Sequence, residues 1–212
     1  MLSNLEQALA DFKSGKIIIV TDAENRENEA DLVFAGGSAT QEKLAFMIRY
    51  TSGIICVAIM ADRAKKLQLP QMVTDNQDDK KTAFTVSVDY KVSITTGISA
   101  QERANTILAL ANDQTKSSDL LRPGHIFPLV ASANLLKSRQ GHTEAAVALC
   151  LLTDQKPVGV IAELVNDDGT MMRAATLKQF AQKHKLSIIS IKELASLTAL
   201  NSLPHKSERE IY

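Results

Sequence analysis

The chain has 212 residues, of which 45% are hydrophobic and 23% charged, and it carries 24 basic and 24 acidic residues. This composition is typical of a globular protein, and the zero net charge argues against a nucleic-acid or anionic-lipid partner. No run approaches the ~20 apolar residues of a membrane span, and the N-terminus lacks the basic and apolar segments of a signal peptide.

Apolar spacing and turn residues divide the first part of the chain into short helices and strands. The opening helix begins with an S-x-x-E capping pattern, which satisfies backbone N–H groups at a helix start. The predicted elements are a helix capped by Ser3 and Glu6 that ends near Gly15, strands at 17–21 and 32–34, a helix capped by Ser38 or Thr40 that stops before Gly53, a strand at 54–59, a helix capped by Asp62 that stops at Pro70, and a loop at 71–81.

The second part of the chain continues this alternation less regularly than a doubly wound sheet would. We therefore expect an α+β fold, a layered sandwich with a mixed β-sheet flanked by helices, as one domain over residues 1–200. The predicted elements are a strand at 84–90, a helix from the capping pair Ser99 and Glu102 to 111, a loop at 112–124, strands at 126–131 and 158–165, a helix at 143–153, a turn at 166–169, a helix at 176–185, a strand at 187–191, a helix at 192–200 and a flexible tail at 201–212.

The chain contains two cysteines, Cys56 and Cys150, and each lies inside an apolar stretch. Buried free thiols are the simplest interpretation, and they indicate the reducing cytoplasm. A disulfide or a reactive thiol is the alternative.

Residues 22–31 place strong negative charge directly after an apolar strand. Clustered carboxylates repel one another unless a cation or a proton lies between them. If the segment is extended, Glu27, Glu29 and Asp31 share a face and offer the hard oxygen ligands that magnesium or manganese prefers. Arg26 would then point away or bind a phosphate. A solvated charged loop is the alternative.

A second charged cluster, Arg139 to Glu144, directly precedes an apolar helix. Backbone N–H groups at a helix start attract anions, and Thr143 and Arg139 add further donors, so the cluster can form a phosphate site. His142 can bind a metal ion. An ordinary helix cap beside a surface arginine and a structural histidine is the alternative. If both charged clusters form one site, carboxylates of the first cluster and His142 share a cation.

Two further residues are candidates for proton transfer. His125 follows a Pro-Gly turn at the start of a predicted strand, where an imidazole can act as an acid or base. Glu163 interrupts a buried apolar strand, and a carboxylate there is costly unless it is paired or functional. Residues 95–99 could line a polar pocket or serve only as a turn and helix cap.

Seven segments in a fixed order form a pattern more specific than any one of them. They are Asp22 to Asp31 with Arg26-Glu-Asn-Glu29, Ser52-Gly-Ile-Ile-Cys56, Thr82-Ala-Phe-Thr-Val86, Thr95-Thr-Gly-Ile-Ser-Ala100, Arg122-Pro-Gly-His-Ile-Phe-Pro128, Gly141-His-Thr-Glu-Ala145 and Glu163-Leu-Val-Asn-Asp-Asp-Gly-Thr-Met171. Together they resemble the 3,4-dihydroxy-2-butanone 4-phosphate synthase family over roughly residues 5–197.

The resemblance implies a lyase of riboflavin biosynthesis that converts D-ribulose 5-phosphate to L-3,4-dihydroxy-2-butanone 4-phosphate and formate through a metal-stabilised enediol. It implies magnesium, or manganese, as cofactor and a homodimer whose subunits share each site. The metal ligands implied are Glu27 and His142, the essential catalytic side chains are His125 and Glu163, and the substrate contacts fall on Arg26, Glu27, Asp31, Arg139, Gln140, Gly141, His142 and Thr143.

The sequence departs from the family pattern at Gln140, where glycine is usual, and at Lys80-Lys81, where Tyr-Gly or His-Gly is usual. These departures motivate an alternative, a catalytically weak paralogue that binds a sugar phosphate and acts as a regulator. An RNA-binding relative is a further alternative, but the chain lacks a basic stripe with interleaved aromatic residues.

Overall fold

The structure is a computed structural model that describes residues 5–200; the Ser3 cap and the expected flexible tail at 201–212 lie outside this range. The strands are β1 (Ile18–Thr21), β2 (Ala30–Ala35), β3 (Cys56–Ile59), β4 (Val88–Tyr90), β5 (Leu120–Val130), β6 (Val158–Glu163) and β7 (Ile188–Ser190). The helices are α1 (Leu5–Lys13), α2 (Gln41–Tyr50), α3 (Ala61–Lys66), α4 (Ala100–Ala111), α5 (His142–Leu152), α6 (Ala174–His184) and α7 (Ile191–Leu200).

The strands form one seven-stranded sheet in the order β4-β5-β3-β6-β2-β1-β7. The pairs β1–β7 and β3–β5 are parallel and the other pairs are antiparallel, so the sheet is mixed and the expected α+β fold is confirmed. Within residues 5–200, none of the helices has both the length and the apolar character needed to cross a bilayer.

Apolar side chains cover both faces of this sheet, because successive residues of a strand point to opposite sides. In β2, Leu32 and Phe34 join one buried cluster, whereas Val33 and Ala35 join the other. The second cluster also contains most of α5, and this places α5 on the face of Val33. The sheet is therefore the middle layer of the expected sandwich.

The helix α5 is buried on all sides over His142–Cys150, as expected for a helix without a polar face. It packs closely on β6 at Gly159, where an added Cβ would lie 2.7 Å from the Cβ of Ala146. The absence of a side chain at Gly159 thus sets how near α5 lies to the sheet, and with it the position of His142.

Local capping patterns were good predictors of helix starts, with one exception. The Ser99–Glu102 capping box is present at α4, and Thr40, rather than Ser38, caps α2 by accepting a hydrogen bond from the Lys43 backbone. The predicted Asp62 cap is wrong, because Asp62 lies in the first turn of α3 and Met60 occupies the cap position.

Two predictions on the paired strands β4 and β5 were wrong. The expected loop at 112–124 ends earlier, because a 3-10 turn at Ser117–Asp119 leads directly into β5 at Leu120. The expected strand at 84–90 is regular only at β4; Phe84 and Thr85 form isolated bridges instead. The Arg-Pro-Gly segment concealed the start of β5, because proline and glycine are typical of turns.

We predict that Gly159→Ala lowers the free energy of unfolding by about 1–3 kcal/mol, because the new methyl group would force α5 away from β6. Urea denaturation should detect the loss. Gly37→Ala is the matched control, since an added Cβ at Gly37 meets nothing within 4 Å. Equal stability of the two variants would contradict the close packing of α5.

Candidate active site

The acidic segment after β1 is a compact turn that Asp22 organises from its centre. Asp22 Oδ1 accepts a hydrogen bond from the Glu29 backbone at 2.9 Å, and Oδ2 accepts from the Glu27 backbone and Arg26 Nη1, both at 3.0 Å. The extended conformation considered for this segment is therefore wrong. Arg26 neither points away nor lies free, because Nη1 also donates to Glu27 Oε2 at 2.6 Å.

His142 lies at the start of α5 with its two ring nitrogens in different surroundings. Nε2 lies 3.2 Å from the carbonyl oxygen of Val20, which can only accept, so Nε2 carries the proton of the neutral ring. Nδ1 then presents its lone pair to Glu27 Oε2 and Asp31 Oδ1, each 3.8 Å away. A backbone carbonyl that fixes the tautomer in this way is typical of a metal-binding histidine.

The ligand atoms around His142 suit a divalent cation. Asp22, Glu27 and His142 each offer one ligand atom, and these atoms lie within 4.8 Å of one another. Asp31 Oδ1 is buried and has no hydrogen-bond partner among the described residues, which leaves a carboxylate oxygen unsatisfied beside Nδ1. Carboxylate oxygens with one imidazole fit magnesium or manganese. The structure thus brings Glu27 and His142 together, as a shared cation requires.

The pKa values of this cluster reflect burial and mutual charge. Burial raises the pKa of Asp31 to about 7. Burial lowers the pKa of His142, but the charges of Asp31 and Glu27 outweigh it and raise the value to about 9. His142 and Arg26 hold the pKa of Glu27 below its usual range against the effect of burial, whereas burial and Glu27 raise that of Glu29. A bound cation would compete with protons on His142 and Asp31.

The strand register extends this cluster along one row of the sheet. Val20 pairs with Asp31, and Asp31 pairs with Glu163, so the two carboxylates lie on neighbouring strands and point to the same face. Ser52 Oγ donates to Glu163 Oε2 at 2.7 Å. The charges of Glu163 and Asp31, together with burial, raise the pKa of the Cys56 thiol, so Cys56 is an unreactive neutral group.

His125 lies on the same face of the sheet, two strands from Glu163. Phe127 and Ile161 both pair with Cys56, and His125 and Glu163 are each two residues further toward the same end of the sheet. At the usual strand spacing their Cα atoms are about 10 Å apart. The register therefore places His125 level with Glu163, but it does not bring their side chains into direct contact.

His125 is held by Asp89 of β4. Its Nδ1 lies 2.7 Å from Asp89 Oδ2, and its backbone N–H donates to Asp89 Oδ1 at 2.9 Å. Gly97 has a φ of +87°, and a Cβ there would lie 2.1 Å from Asp89 Oδ2, so only glycine allows this approach. The imidazole is thereby oriented, and Nε2 has no hydrogen-bond partner among residues 5–200, as an acid or base requires.

Arg139 joins the start of α5 to the loop at 78–82. Nη1 donates to Glu144 Oε2 at 2.7 Å, Nη2 to Thr82 Oγ1 at 3.2 Å, and Nε to the carbonyl of Lys80 at 3.2 Å. A Cβ on Gly141 would lie 2.3 Å from Arg139 Nη1, which explains the glycine. Thr143 is buried in the first turn of α5, whereas Gln140 is exposed and lies outside the cluster.

Three residues that position the site were not identified as such from the sequence. Arg173 donates to the carbonyls of Glu27 and Asn28 and so holds the acidic turn from outside. The other two are Ser52 and Asp89, whose contacts are described above. The partners of all three are far away in sequence, so no local pattern indicates these contacts. Asp22, in contrast, belongs to the acidic segment at 22–31, whose charge indicated a candidate site.

We predict that the affinity of the metal-free protein for Mn²⁺ rises about tenfold per pH unit between pH 7 and 8.5 and more steeply between pH 6 and 7. The cation must displace a proton from His142, whose pKa is about 9, and at lower pH also from Asp31, whose pKa is about 7. Isothermal titration calorimetry at several pH values measures this.

His142→Asn should weaken Mn²⁺ binding and flatten its pH dependence above pH 7. His184→Asn is the control, since His184 lies among the aromatic rings of Phe46, Tyr50 and Phe180. A pH-independent affinity in the unmodified protein would show that the cation binds elsewhere.

Comparisons with known proteins identify the family of the chain. The family model for 3,4-dihydroxy-2-butanone 4-phosphate synthase matches residues 6–197. The 3,4-dihydroxy-2-butanone 4-phosphate synthase of Candida albicans is 49% identical over 191 residues, which cover 90% of this chain and 94% of that protein. The riboflavin biosynthesis protein RibBA of Salinispora arenicola is 49% identical over 91% of this chain, which spans only 46% of that longer protein.

A solved structure of 3,4-dihydroxy-2-butanone 4-phosphate synthase in complex with two magnesium ions has the same fold. It superposes with a TM-score of 0.90 at 40% sequence identity, covering 95% of this chain and 100% of that one. The match of the family model over nearly the whole described range, together with these identities, shows that the chain belongs to the 3,4-dihydroxy-2-butanone 4-phosphate synthase family.

Proposed function

We propose that the protein converts D-ribulose 5-phosphate to L-3,4-dihydroxy-2-butanone 4-phosphate and formate, the reaction that the resemblance implies. Family membership supports this activity. The structural observation that carries the proposal is the convergence of Glu27 Oε2 and Asp31 Oδ1 on His142 Nδ1, with both distances at 3.8 Å.

Glu27 and His142 would hold the cation, and Asp31 would provide a further oxygen beside it. The ligand atoms suit magnesium or manganese, and a related structure contains magnesium ions. When bound there, a divalent cation would act as a Lewis acid and stabilise negative charge that develops on the substrate oxygens.

The carboxylates of Asp31 and Glu163, which pair across β2 and β6, provide proton transfers together with His125. Removal of the C3 proton is the first step, and a carboxylate of this pair accepts it. Glu163, held by Ser52, and His125, held by Asp89, supply the later exchanges, in which water leaves C1, the skeleton rearranges, a water molecule adds to C4 and C4 departs as formate.

The N-terminus of α5 binds the phosphate group. Its first N–H groups are free of intrahelical partners, and the helix dipole favours an anion there. Arg139 lies beside them, held in place by Glu144, and Thr143 adds a hydroxyl. Arg139 has one further N–H on each terminal nitrogen, so it can bind a phosphate oxygen without releasing Glu144.

The sequence departures do not disturb these contacts, which favours the active enzyme over the regulatory paralogue. Gln140 is exposed. Lys80 meets Arg139 through its carbonyl oxygen, which any residue offers, and the side chain of Lys81 donates to the carbonyl of Asn76. The two cysteines are free and buried, consistent with the proposed cytoplasmic location.

The protein acts as a homodimer whose subunits share each site. Large apolar side chains surround His125: Leu121 pairs with Asp89, Ile98 follows Gly97, and Ile54 precedes β3 close to Ser52. Ile54 and Ile98 are each 51% exposed and Leu121 is 44% exposed. An apolar surface of this kind is typical of a protein interface, and a second copy covering it would place its own His125 near the carboxylates.

We predict that the purified protein releases formate from D-ribulose 5-phosphate when magnesium is present. Glu27→Gln and His142→Ala should each lower kcat at least about 100-fold with the fold retained, because each removes a cation ligand. A coupled formate dehydrogenase assay and circular dichroism measure the two properties. Glu24→Gln is the control, since Glu24 is an exposed acid of the same turn. No formate from folded, metal-loaded protein would contradict the proposed activity.

We predict that mixing two inactive variants, His125→Ala and Glu27→Gln, restores about a quarter of the normal activity. Half of the randomly formed dimers contain both variants, and one of their two shared sites is intact. Mixing Glu27→Gln with His142→Ala is the control, because those residues lie in one subunit's cluster and should not complement each other. Activity that stays absent in both mixtures would exclude a shared site built from His125.

A further inference from the structure

A cavity of about 560 Å³ lies at the end of the sheet opposite to the candidate active site. Strand β6 connects the two places: Val158, its first residue, lines the cavity, whereas Glu163, its last, belongs to the site. Five residue steps along a strand separate them by about 16 Å. The cavity is therefore separate from the cation and substrate contacts proposed above.

The interior of this cavity is apolar, and its volume is in the range of small-molecule sites. The walls come from the end of β3, the start of β6, the end of α5 and the 3-10 turn that follows β5. The apolar side chains that face it are Met60, Leu135, Leu136, Leu151, Pro157 and Val158. Such a surface favours a ligand with an apolar body.

Positively charged side chains surround the opening of the cavity. Two of them, Arg63 and Lys137, have N–H groups that are not fully used by the described residues. Nε and Nη2 of Arg63 donate hydrogen bonds to carbonyl oxygens at the end of α4, whereas Nη1 is buried and has no acceptor among the described residues. Lys137 makes no ion pair within residues 5–200. Lys66 and Lys156, in contrast, both bind Asp113.

The charge of the lining is the feature that points to an anion, because basic side chains around an apolar space favour a bound group of opposite charge. Arg63 Nη1 is itself inaccessible to solvent, but the guanidinium stays protonated and adds positive charge beside the cavity, as Lys137 does. Asp62 also lines the cavity, but the lining as a whole carries four basic and two acidic side chains, Asp62 and Asp113 being the acids.

We propose that this cavity is a second ligand site, which binds a small amphipathic anion with an apolar, ring-sized body and one carboxylate, sulfonate or phosphate group. The apolar body fills the space among Leu135, Leu136 and Leu151, and the anionic group binds Lys137, with the charge of Arg63 nearby. The site is independent of the proposed reaction, because none of the proposed catalytic, metal or substrate residues lines it.

Anilinonaphthalene sulfonate has the required chemistry and serves as the probe. We expect one saturable site on the folded protein, with amide NMR shifts concentrated at residues 133–137 and at Ala111 of the cavity wall. Lys137→Glu should weaken the affinity at least fivefold, whereas Lys183→Glu, a charge reversal on exposed α6, should change it less than twofold. Phenylnaphthylamine, which lacks the sulfonate, should bind both variants equally.

Three outcomes would overturn the proposal. The first is the absence of saturable binding to folded protein. The second is a shift pattern centred on the exposed residues Ile54, Ile98 and Leu121 instead of the cavity. The third is equal weakening by Lys137→Glu and Lys183→Glu, which would show a general charge effect. Lys137 is exposed, so its replacement does not threaten the fold.

Discussion

The structure depends on how negative charge is neutralised at one end of its sheet. Glu27, Asp31 and Glu163 lie close enough for their charges to influence one another, and Asp31 is fully buried. Within residues 5–200, the imidazole of His142 is the basic group in direct reach of both Glu27 and Asp31. A buried carboxylate is tolerated only with a proton or a cation beside it, so the position of His142 decides whether this end of the sheet is stable.

The surrounding structure fixes that imidazole from several sides. The carbonyl of Val20 determines which nitrogen faces the carboxylates. Gly159 allows α5 to approach β6 closely enough for His142 to reach the row, and Asp22 turns Glu27 back toward it. The glycine in β6, the apolar helix α5 and the acidic turn thus act together. They bring Nδ1 of His142 close to one oxygen each of Glu27 and Asp31.

Much of the fold was predictable because its signals are local. The capping box of α4, the apolar runs of β1 and β6 and the glycine-terminated helices depend on neighbours within a few residues. The start of β5 was missed because Arg122-Pro123-Gly124 is typical of a turn and the pairing partner β4 is thirty residues away. The conformation of the acidic turn was missed because two backbone N–H groups and one arginine side chain bind the carboxylate of Asp22, an arrangement that no periodicity reveals.

The candidate site was predictable in its chemistry but not in its assembly. The charges of Glu27 and Glu163 and the histidine before an apolar helix could be read from residue types alone, and the family resemblance connected them. The residues that orient them, such as Asp89 for His125 and Ser52 for Glu163, act across gaps of 36 and 111 positions. Only the register of the finished sheet brings such pairs together.

This register has a consequence for how the protein matures. Val20, Asp31, His125 and Glu163 belong to four strands, so no fragment that lacks part of the sheet contains the complete row. Pairings of such long sequence separation form late, after much chain entropy has been lost. A cation held by Glu27 and His142 beside Asp31 binds only once β1, β2 and α5 have come together. It therefore stabilises the native state over partly folded ones, and the supply of metal affects how long the folded sheet persists.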